Sequence, residues 1–129
     1  MILDTTFLVD LLRGNPEAIT KVSEIERRNE TIATTTISVF EIWQGMPKNA
    51  SEKQVVGTLE LFKSINILSL DFDSALEAGE IQRKLKSSGK KIDPEDAMIA
   101  GVAKTRREKV LTRNEKHFKR INGLEIETY

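Results

Sequence analysis

The amino-terminal stretch Met1-Ile2-Leu3-Asp4-Thr5-Thr6 sets the pattern for the rest of the chain. Its apolar run is long enough for a short buried strand, and Thr6 is a good N-cap for the helix-like residues 7–12. Asp4 then lies at the carboxyl end of a strand, where open parallel α/β sheets place their ligand sites. A simpler interpretation is that Asp4 only caps the helix, because strand-to-helix turns favour Asp, Ser and Thr for local hydrogen bonds.

Strand-like and helix-like segments alternate along the remaining chain. The predicted strands cover residues 31–35, 65–70, 109–112 and 124–127. The predicted helices cover residues 17–28, 36 or 38 to about 46, 51–62, 74–87 and 93–103. Capping-box patterns, Ser51 with Gln54 and Ser74 with Glu77, mark the starts of two of these helices. The alternation predicts a parallel sheet that helices cover on both faces.

The composition predicts one cytoplasmic domain, residues 1–129. A length of 129 residues suits a single domain, and no repeat or change of composition divides it. The apolar runs, such as residues 98–103, are too short to span a bilayer, and the amino terminus lacks the basic segment of a signal peptide. The absence of cysteine excludes a disulfide framework, a thiol nucleophile and a cysteine-based zinc site, and it fits a reducing compartment.

The formal net charge of zero conceals two halves of opposite sign. Residues 1–80 hold 7 Lys and Arg against 13 Asp and Glu, whereas residues 81–129 hold 13 against 7. A basic second half can attract a polyanion, and an acidic first half can hold cations. Two ordinary solvated faces explain the same numbers, so charge alone permits a nucleic-acid partner without establishing one.

Three acidic residues are predicted to meet at one edge of the sheet. In a parallel α/β fold each helix runs antiparallel to the strands, so helix N-termini gather at the carboxyl edge of the sheet. Asp4 ends a strand there, Asp96 lies in the first turn of its helix, and Glu41 lies near the start of the helix after the second strand. Thr112 and Asn114 follow the fourth predicted strand at the same edge.

Carboxylates that are brought together in this way need a cation. They resist joint ionisation unless a positive charge neutralises them. Oxygen ligands with room for water suit Mg²⁺ or Mn²⁺ rather than zinc. Such an ion lowers the pKa of a water and stabilises charge on a phosphoryl centre, so the chemistry predicted from these residues is phosphodiester hydrolysis.

Each of these residues also has a purely structural interpretation. Asp96 is at the N3 position of its helix and can complete a capping interaction with Asp93. Glu41 can be a solvated helix residue, which is the commoner fate of a glutamate. Asp93 is predicted to be the N-cap, close enough to assist a water at the site. His117, the only histidine, is expected on the surface and is a minor candidate for a base.

Four short segments carry a more specific signal. They are Leu3-Asp4-Thr5-Thr6 with Leu11-Leu12-Arg13-Gly14, Ser38-Val39-Phe40-Glu41-Ile42-Trp43-Gln44-Gly45, Asp96-Ala97-Met98-Ile99-Ala100, and Val110-Leu111-Thr112-Arg113-Asn114 through Phe118. In this order and at this spacing, the segments resemble a PIN-domain ribonuclease of the VapC toxin type. The resemblance covers nearly the whole chain.

The resemblance implies a fold, a site and a reaction. The fold is a three-layer α/β/α sandwich with a mostly parallel central sheet and the first strand in the middle. Asp4, Glu41 and Asp96 are the implied metal-holding acids for Mg²⁺ or Mn²⁺, and the reaction is endonucleolytic cleavage of RNA. Thr112 matches the family's hydroxyl, which is expected to orient the attacking water or a phosphate.

Asn114 departs from the family pattern, since many relatives have a fourth acid at this position. Its side chain can orient a water or bind metal through the carbonyl, but it brings no charge. We therefore expect one firm metal position, and the sequence leaves a second one open. The toxin role further implies a small antitoxin that blocks the acidic cleft, and the family commonly forms homodimers.

Other functions fit the sequence less well. An aspartyl-phosphate phosphatase needs a second acid two residues after Asp4, where this chain has Thr6. A nucleotide-binding module needs a glycine-rich phosphate loop, and the chain has neither common form of it. The remaining alternatives are an inactive PIN-like module that binds RNA or a protein, and an RNA-maturation nuclease.

Overall fold

The first strand, β1 (Ile2–Leu3), is the central strand of a five-stranded sheet. In the computed structural model, which describes residues 1–129, the other strands are β2 (Ala33–Thr35), β3 (Asn66–Leu68), β4 (Val110–Leu111) and β5 (Ile126–Glu127). The helices are α1 (Thr5–Leu12), α2 (Pro16–Arg27), α3 (Thr36–Gln44), α4 (Glu52–Ser64), α5 (Phe72–Ser87), α6 (Pro94–Arg106) and α7 (Glu115–Phe118). None of these helices combines the length and the apolar character that crossing a bilayer requires.

All strand pairs in the sheet are parallel, and the strand order is β3-β2-β1-β4-β5. Ile2 stands opposite Ala33 on one side and Val110 on the other. The predicted parallel sheet with a central first strand is therefore confirmed. Because the sheet contains no antiparallel strand, it is more regular than the mostly parallel sheet that was expected.

Two separate hydrophobic cores cover the two faces of the sheet. Successive side chains of a strand point to opposite faces, so Ile2 and Leu3 enter different cores. Ile2 packs with residues of α5 and α6, including Ile81 and Ile99. Leu3 packs with residues of α1, α2 and α3, including Phe7. Helices on both faces of one sheet form the predicted α/β/α sandwich.

The helix starts show where local sequence patterns succeed and fail. The capping box of Ser51 with Gln54 is present and opens α4. The second predicted box, Ser74 with Glu77, is wrong, because α5 begins earlier and Asp71 is its N-cap with Ser74 at N3. Asp71 with Ser74 and Ser74 with Glu77 each place a capping side chain three residues before a possible partner. The sequence alone therefore did not show which of the two pairs starts α5.

Helices α5 and α6 correct the expectation that every helix N-terminus lies at the carboxyl edge of the sheet. No strand separates these two helices, and they pack antiparallel to each other. Lys104, near the end of α6, pairs with Glu77 near the start of α5 at 2.9 Å. At the other end, Gln82 Nε2 donates to the carbonyl of Ile92, just before α6 begins. The N-termini of α5 and α6 are thus at opposite ends of the pair.

Gly101 allows the close contact between α5 and α6. A Cβ atom at this position would lie 2.5 Å from the Ser74 carbonyl oxygen and 2.8 Å from the Ala78 backbone nitrogen. Backbone atoms of a packed helix cannot move aside without separating the two helices. Gly79, on α5, is exposed and has no atom within 4 Å of the corresponding position.

We expect Gly101→Ala to lower the free energy of unfolding by about 1–3 kcal/mol, because it overpacks the α5–α6 contact. Gly79→Ala is the matched control and should raise it by up to about 1 kcal/mol, since alanine is the better helix former. Urea unfolding of both variants measures the difference. A stabilised Gly101→Ala protein would contradict the tight contact.

Candidate active site

Asp4 is a buried carboxylate that joins three elements of the fold. It lies directly after β1 and is only 3% exposed. Its Oδ1 accepts a hydrogen bond from the Phe7 backbone nitrogen at 2.9 Å, so Asp4 rather than Thr6 is the N-cap of α1. Its Oδ2 accepts a hydrogen bond from the Thr112 hydroxyl, which follows β4. The simpler capping interpretation of Asp4 is therefore correct for one oxygen, but it does not account for the other.

Glu41 is held by the Thr5 hydroxyl of α1, which also contacts the Ser38 hydroxyl of α3. It lies on α3 and is half-buried. The Thr5 hydroxyl donates to Glu41 Oε1 at 2.6 Å and lies 2.9 Å from the Ser38 hydroxyl. Ser38 is buried, and its backbone nitrogen donates to the N-cap residue Thr35. Glu41 is thus an oriented side chain and not the freely solvated residue of the alternative interpretation.

Asp96 makes its hydrogen bonds across the structure and not to its own helix. The predicted N-cap, Asp93, begins α6 but forms no side-chain capping hydrogen bond. Asp96 Oδ2 instead accepts from the Asn114 amide at 3.1 Å and lies 2.8 Å from His117 Nδ1. The interpretation of Asp96 as half of a capping pair with Asp93 is therefore wrong.

Thr112 and Asn114 reach the site from the end of β4, as expected from the sequence. Thr112 is fully buried, and its hydroxyl donates to Asp4 while accepting from the Asn114 backbone nitrogen at 2.8 Å. Because this hydroxyl is enclosed and its proton is committed, Thr112 acts by orienting Asp4. The expected role of Thr112 in orienting the attacking water or a phosphate stays a prediction.

A cleft of about 350 Å³ brings the acidic side chains together. Its lining residues are Asp4, Thr5, Thr6, Val9, Asp10, Arg13, Glu41, Asp93, Asp96 and Asn114. The cleft therefore contains Asp4, Glu41, Asp96 and Asn114 of the residues predicted from the sequence, and Thr112 lies behind Asp4. Arg13 is the only basic side chain in the lining.

The lining acids differ in whether a positive charge already compensates them. Asp10 accepts a hydrogen bond from the Tyr129 hydroxyl at 2.5 Å and pairs with Arg113 at 3.5 Å. Asp4, Glu41 and Asp93 take part in no ion pair, and Asp96 has no lysine or arginine partner and contacts only the ring nitrogen of His117. Uncompensated carboxylates in one cleft are the donor set that a divalent cation requires.

The raised pKa values of the three acids also indicate a site suited to a cation. Burial raises the pKa of Asp4 to about 6, and the nearby charges of Asp96 and Glu41 add to the shift. Burial also raises the pKa of Glu41 and of Asp96 above the ordinary values. In all three residues the ionised form is therefore disfavoured, and a bound cation would reverse this by stabilising the charged carboxylates.

His117, which the sequence predicted to be a surface residue and a minor candidate for a base, lies against the acids. It lies on the four-residue helix α7, and its side chain is 27% exposed. Its Nδ1 lies 2.9 Å from the Asn114 amide nitrogen as well as 2.8 Å from Asp96 Oδ2. The spacing of three residues from Asn114 was the available signal, but a short amphipathic stretch gives no indication of which side chain points inward.

The sequence matches one protein family and is similar over almost its whole length to known nucleases. The PIN domain family model matches residues 1–124. The tRNA(fMet)-specific endonuclease VapC of Salmonella typhimurium is 29% identical over 128 residues, which cover 98% of this chain and 96% of that protein. Ribonuclease VapC19 of Mycobacterium tuberculosis is 33% identical over 118 residues, which cover 91% and 90% of the two chains.

Solved structures share the same fold. A chain in the crystal structure of VapBC2 from Rickettsia felis, bound to a DNA fragment from its promoter, superposes with a TM-score of 0.86 at 28% identity. The match covers 99% of this chain and 97% of that one. A chain of DNA-bound VapBC from Salmonella typhimurium gives a TM-score of 0.87 at 27% identity, with 98% and 96% covered.

We expect Asp4 to destabilise the metal-free protein progressively as the pH rises from about 4 to above 6. The folded protein binds the Asp4 proton more tightly than the unfolded chain, because burial raises the pKa from 3.8 to about 6. Deprotonation therefore favours unfolding, and this group contributes a loss of about 3 kcal/mol across that range.

Asp4→Asn should lose this contribution and be more stable than the wild type at pH 7.5 in the presence of a chelator. Asp73→Asn, at an exposed aspartate in the first turn of α5, is the control for a simple change of charge. Urea unfolding at several pH values measures both. Parallel stability curves for the wild type and Asp4→Asn would exclude a strained Asp4 carboxylate.

Proposed function

The chain belongs to the PIN-domain family, and from this we propose that it is a divalent-metal-dependent endoribonuclease, the toxin of a toxin–antitoxin pair. It hydrolyses RNA phosphodiester bonds: a water oxygen attacks phosphorus, and one phosphorus–oxygen ester bond breaks to leave a phosphate end and a hydroxyl end. The relatives that span almost the whole chain are named as VapC endonucleases and ribonucleases.

One observation carries this proposal: Asp4, Glu41 and Asp96 share a cleft without an ion-pair partner that neutralises Asp4 or Glu41. A protein that used these acids only for structure would gain nothing from leaving buried carboxylates uncompensated. An inactive binding module has no need for three such groups, so their arrangement favours the enzyme over that alternative.

Asp4, Glu41 and Asp96 would hold the cation through carboxylate oxygens, as Mg²⁺ or Mn²⁺ prefers. When bound, such an ion lowers the pKa of a water and stabilises negative charge on the phosphoryl group. The surrounding hydroxyls prepare the site for it, since Thr112 orients Asp4 and Thr5 orients Glu41. Ligands that are already oriented bind a cation without a further loss of side-chain freedom.

Polar residues at the rim of the cleft are suited to bind RNA. Asn114 presents an amide beside Asp96, where it can hold a water or a phosphate oxygen by a hydrogen bond. Arg13 is exposed, lines the cleft and takes part in none of the ion pairs, so its charge is available to a phosphate. Lys90 and Lys91 are exposed in the loop that leads into Asp93.

An antitoxin partner is supported by the shape of the surface beside the cleft. Structures with the same fold include VapBC toxin–antitoxin complexes. A groove of about 660 Å³ runs between α1, α3 and α4, and its lining includes the partly exposed residues Leu12 and Val56. Val9 and Arg13 line both this groove and the acidic cleft, so the two are continuous. A segment bound in the groove would therefore reach the acids.

We also propose that the protein forms a homodimer, as is common in the family. Phe72 and Leu76 lie one turn apart on α5 and are 77% and 59% exposed. Large apolar side chains that are so exposed next to each other are more typical of a contact surface than of a solvated helix face.

The first experiment is cleavage of a panel of structured RNAs by purified protein, with Mg²⁺ or Mn²⁺ or with a chelator. The wild type should cut only with metal, and Asp4→Asn and Asp96→Asn should each lower the rate by at least about 100-fold, since both remove a charged ligand. Asp73→Asn from the same purification is the matched control and should retain full activity.

Cleavage that persists in both Asp4→Asn and Asp96→Asn would reject the site assignment and indicate a contaminating nuclease. A wild type that binds RNA but cuts none of it, with either metal, would favour the inactive binding module. Arrest of growth on expression of the wild type, but not of Asp4→Asn, distinguishes a toxin from a nuclease of RNA maturation.

Neutralising Lys90 and Lys91 together, each as Lys→Gln, should weaken RNA binding and lower the slope of log K against log salt by about 1 to 1.5. The binding is measured with the Asp4→Asn protein, so that RNA stays intact. Arg27→Gln with Lys63→Gln is the matched control, because these residues occupy the last turns of α2 and α4, at the opposite edge of the sheet. An unchanged slope would leave Lys90 and Lys91 as surface charges.

A further inference from the structure

We propose that His117 is a metal ligand and that it forms, with Asp93 and Asp96, a position for a divalent transition-metal ion at the edge of the acidic cleft. This inference rests on the proposed function and deepens it. It assigns the second metal position to an imidazole and two carboxylates, in a chain where Asn114 stands in the place of a fourth acid.

The three side chains already have the spacing of a common ligand set. One potential ligand atom from each of Asp93, Asp96 and His117 lies within 4.8 Å of the other two. Nδ1 of His117 and Oδ2 of Asp96 are 2.8 Å apart. Adjacent ligands on a small octahedral ion with bonds of about 2.1 Å are separated by roughly 3 Å, so these two atoms fit neighbouring positions.

The carboxylate of Asp93 is exposed at the edge of the cleft and is not used by its own helix. Asp93 occupies the N-cap position of α6, where an aspartate normally accepts a backbone hydrogen bond. Its carboxylate makes no such bond, it forms no ion pair, and it lines the cleft. Its backbone carbonyl still accepts from the Ala97 nitrogen at 3.1 Å, so the helix starts normally while the carboxylate remains available.

His117 is held firmly enough to act as a ligand. It precedes Phe118, which is fully buried and anchors α7 to the core. Its backbone nitrogen donates to the Asn114 carbonyl at 3.2 Å, which fixes the short turn. Nδ1 faces Asp96 and the Asn114 amide, so a ring nitrogen that can bind a metal in its unprotonated form is directed toward the acids.

An imidazole ligand changes which metal this position favours. Mg²⁺ takes oxygen ligands almost exclusively, whereas imidazole nitrogen is a good ligand for transition metals. Mn²⁺ accepts both types and can be observed directly by its unpaired electrons. The position should therefore bind Mn²⁺ in preference to Mg²⁺, while the position of Asp4 and Glu41 has oxygen ligands only.

The test is pulsed electron paramagnetic resonance of Mn²⁺ bound to the full chain without RNA. Because His117 is the only histidine, a strong coupling of Mn²⁺ to imidazole nitrogen can come from this residue alone. Protein labelled with ¹⁵N-histidine should show the changed coupling of that isotope. His117→Gln should lose the signal, and its Mn²⁺ affinity should fall about tenfold or more.

Lys116→Gln, at an exposed residue of the same short helix, is the control and should keep both the signal and the affinity. Asp93→Asn should lower the Mn²⁺ affinity with less effect on Mg²⁺ binding. Circular dichroism of each variant establishes that the fold is retained.

Bound Mn²⁺ without nitrogen coupling in the wild type would overturn the proposal and leave His117 as a residue that only positions Asp96. An unchanged Mn²⁺ affinity in Asp93→Asn would remove Asp93 from the ligand set. These results are distinct from a failure of the proposed function, because metal-dependent RNA cleavage that requires Asp4 would persist in either case.

Discussion

The structure depends on one buried carboxylate, Asp4, at the end of the central strand. Its two oxygens are bound by the Phe7 backbone nitrogen of α1 and by the Thr112 hydroxyl that follows β4. The same residue therefore ends a strand, starts a helix and connects two neighbouring strands at the edge where the acids gather. Since the residue that organises this edge is also the proposed metal ligand, the fold and the site are built from the same contacts.

The burial of these acids lowers the stability of the metal-free protein. Burial raises the pKa of Asp4, Glu41 and Asp96, which means that each residue loses favourable hydration when it is charged. Hydrogen bonds from Thr112 and Thr5 offset part of this cost for Asp4 and Glu41. A cation at the proposed site would relieve the remainder, so the free energy that destabilises the metal-free site would favour metal binding.

Much of the fold could be predicted because its signals are local and repeated. The alternation of apolar strands with amphipathic helices indicated a parallel sheet, and the position of Asp4 after the first strand followed from it. The bounds were less accurate, since the strands have two or three residues where four to six were expected. Hydrogen bonding between strands, which is not visible in one segment, decides where a strand ends. Both α5 and α6 were predicted, but their antiparallel arrangement was not. No strand lies between these two successive helices to set their relative direction.

The sequence by itself determined the fold class, the order of the strands and of the longer helices, and the edge of the sheet at which Asp4, Glu41 and Asp96 lie, because their positions follow from strand ends and helix first turns. Only the tertiary structure decided what these side chains contact. It showed that the Thr112 hydroxyl donates to Asp4, that Asp93 occupies the N-cap of α6 without a side-chain capping hydrogen bond, and that His117 turns inward toward Asp96. The reason is physical: backbone pattern fixes the edge at which a residue lies, whereas the direction of its side chain depends on hydrogen-bond partners that are far away in the chain. Asp96 and His117, separated by 21 positions, meet only when α6 and α7 pack together.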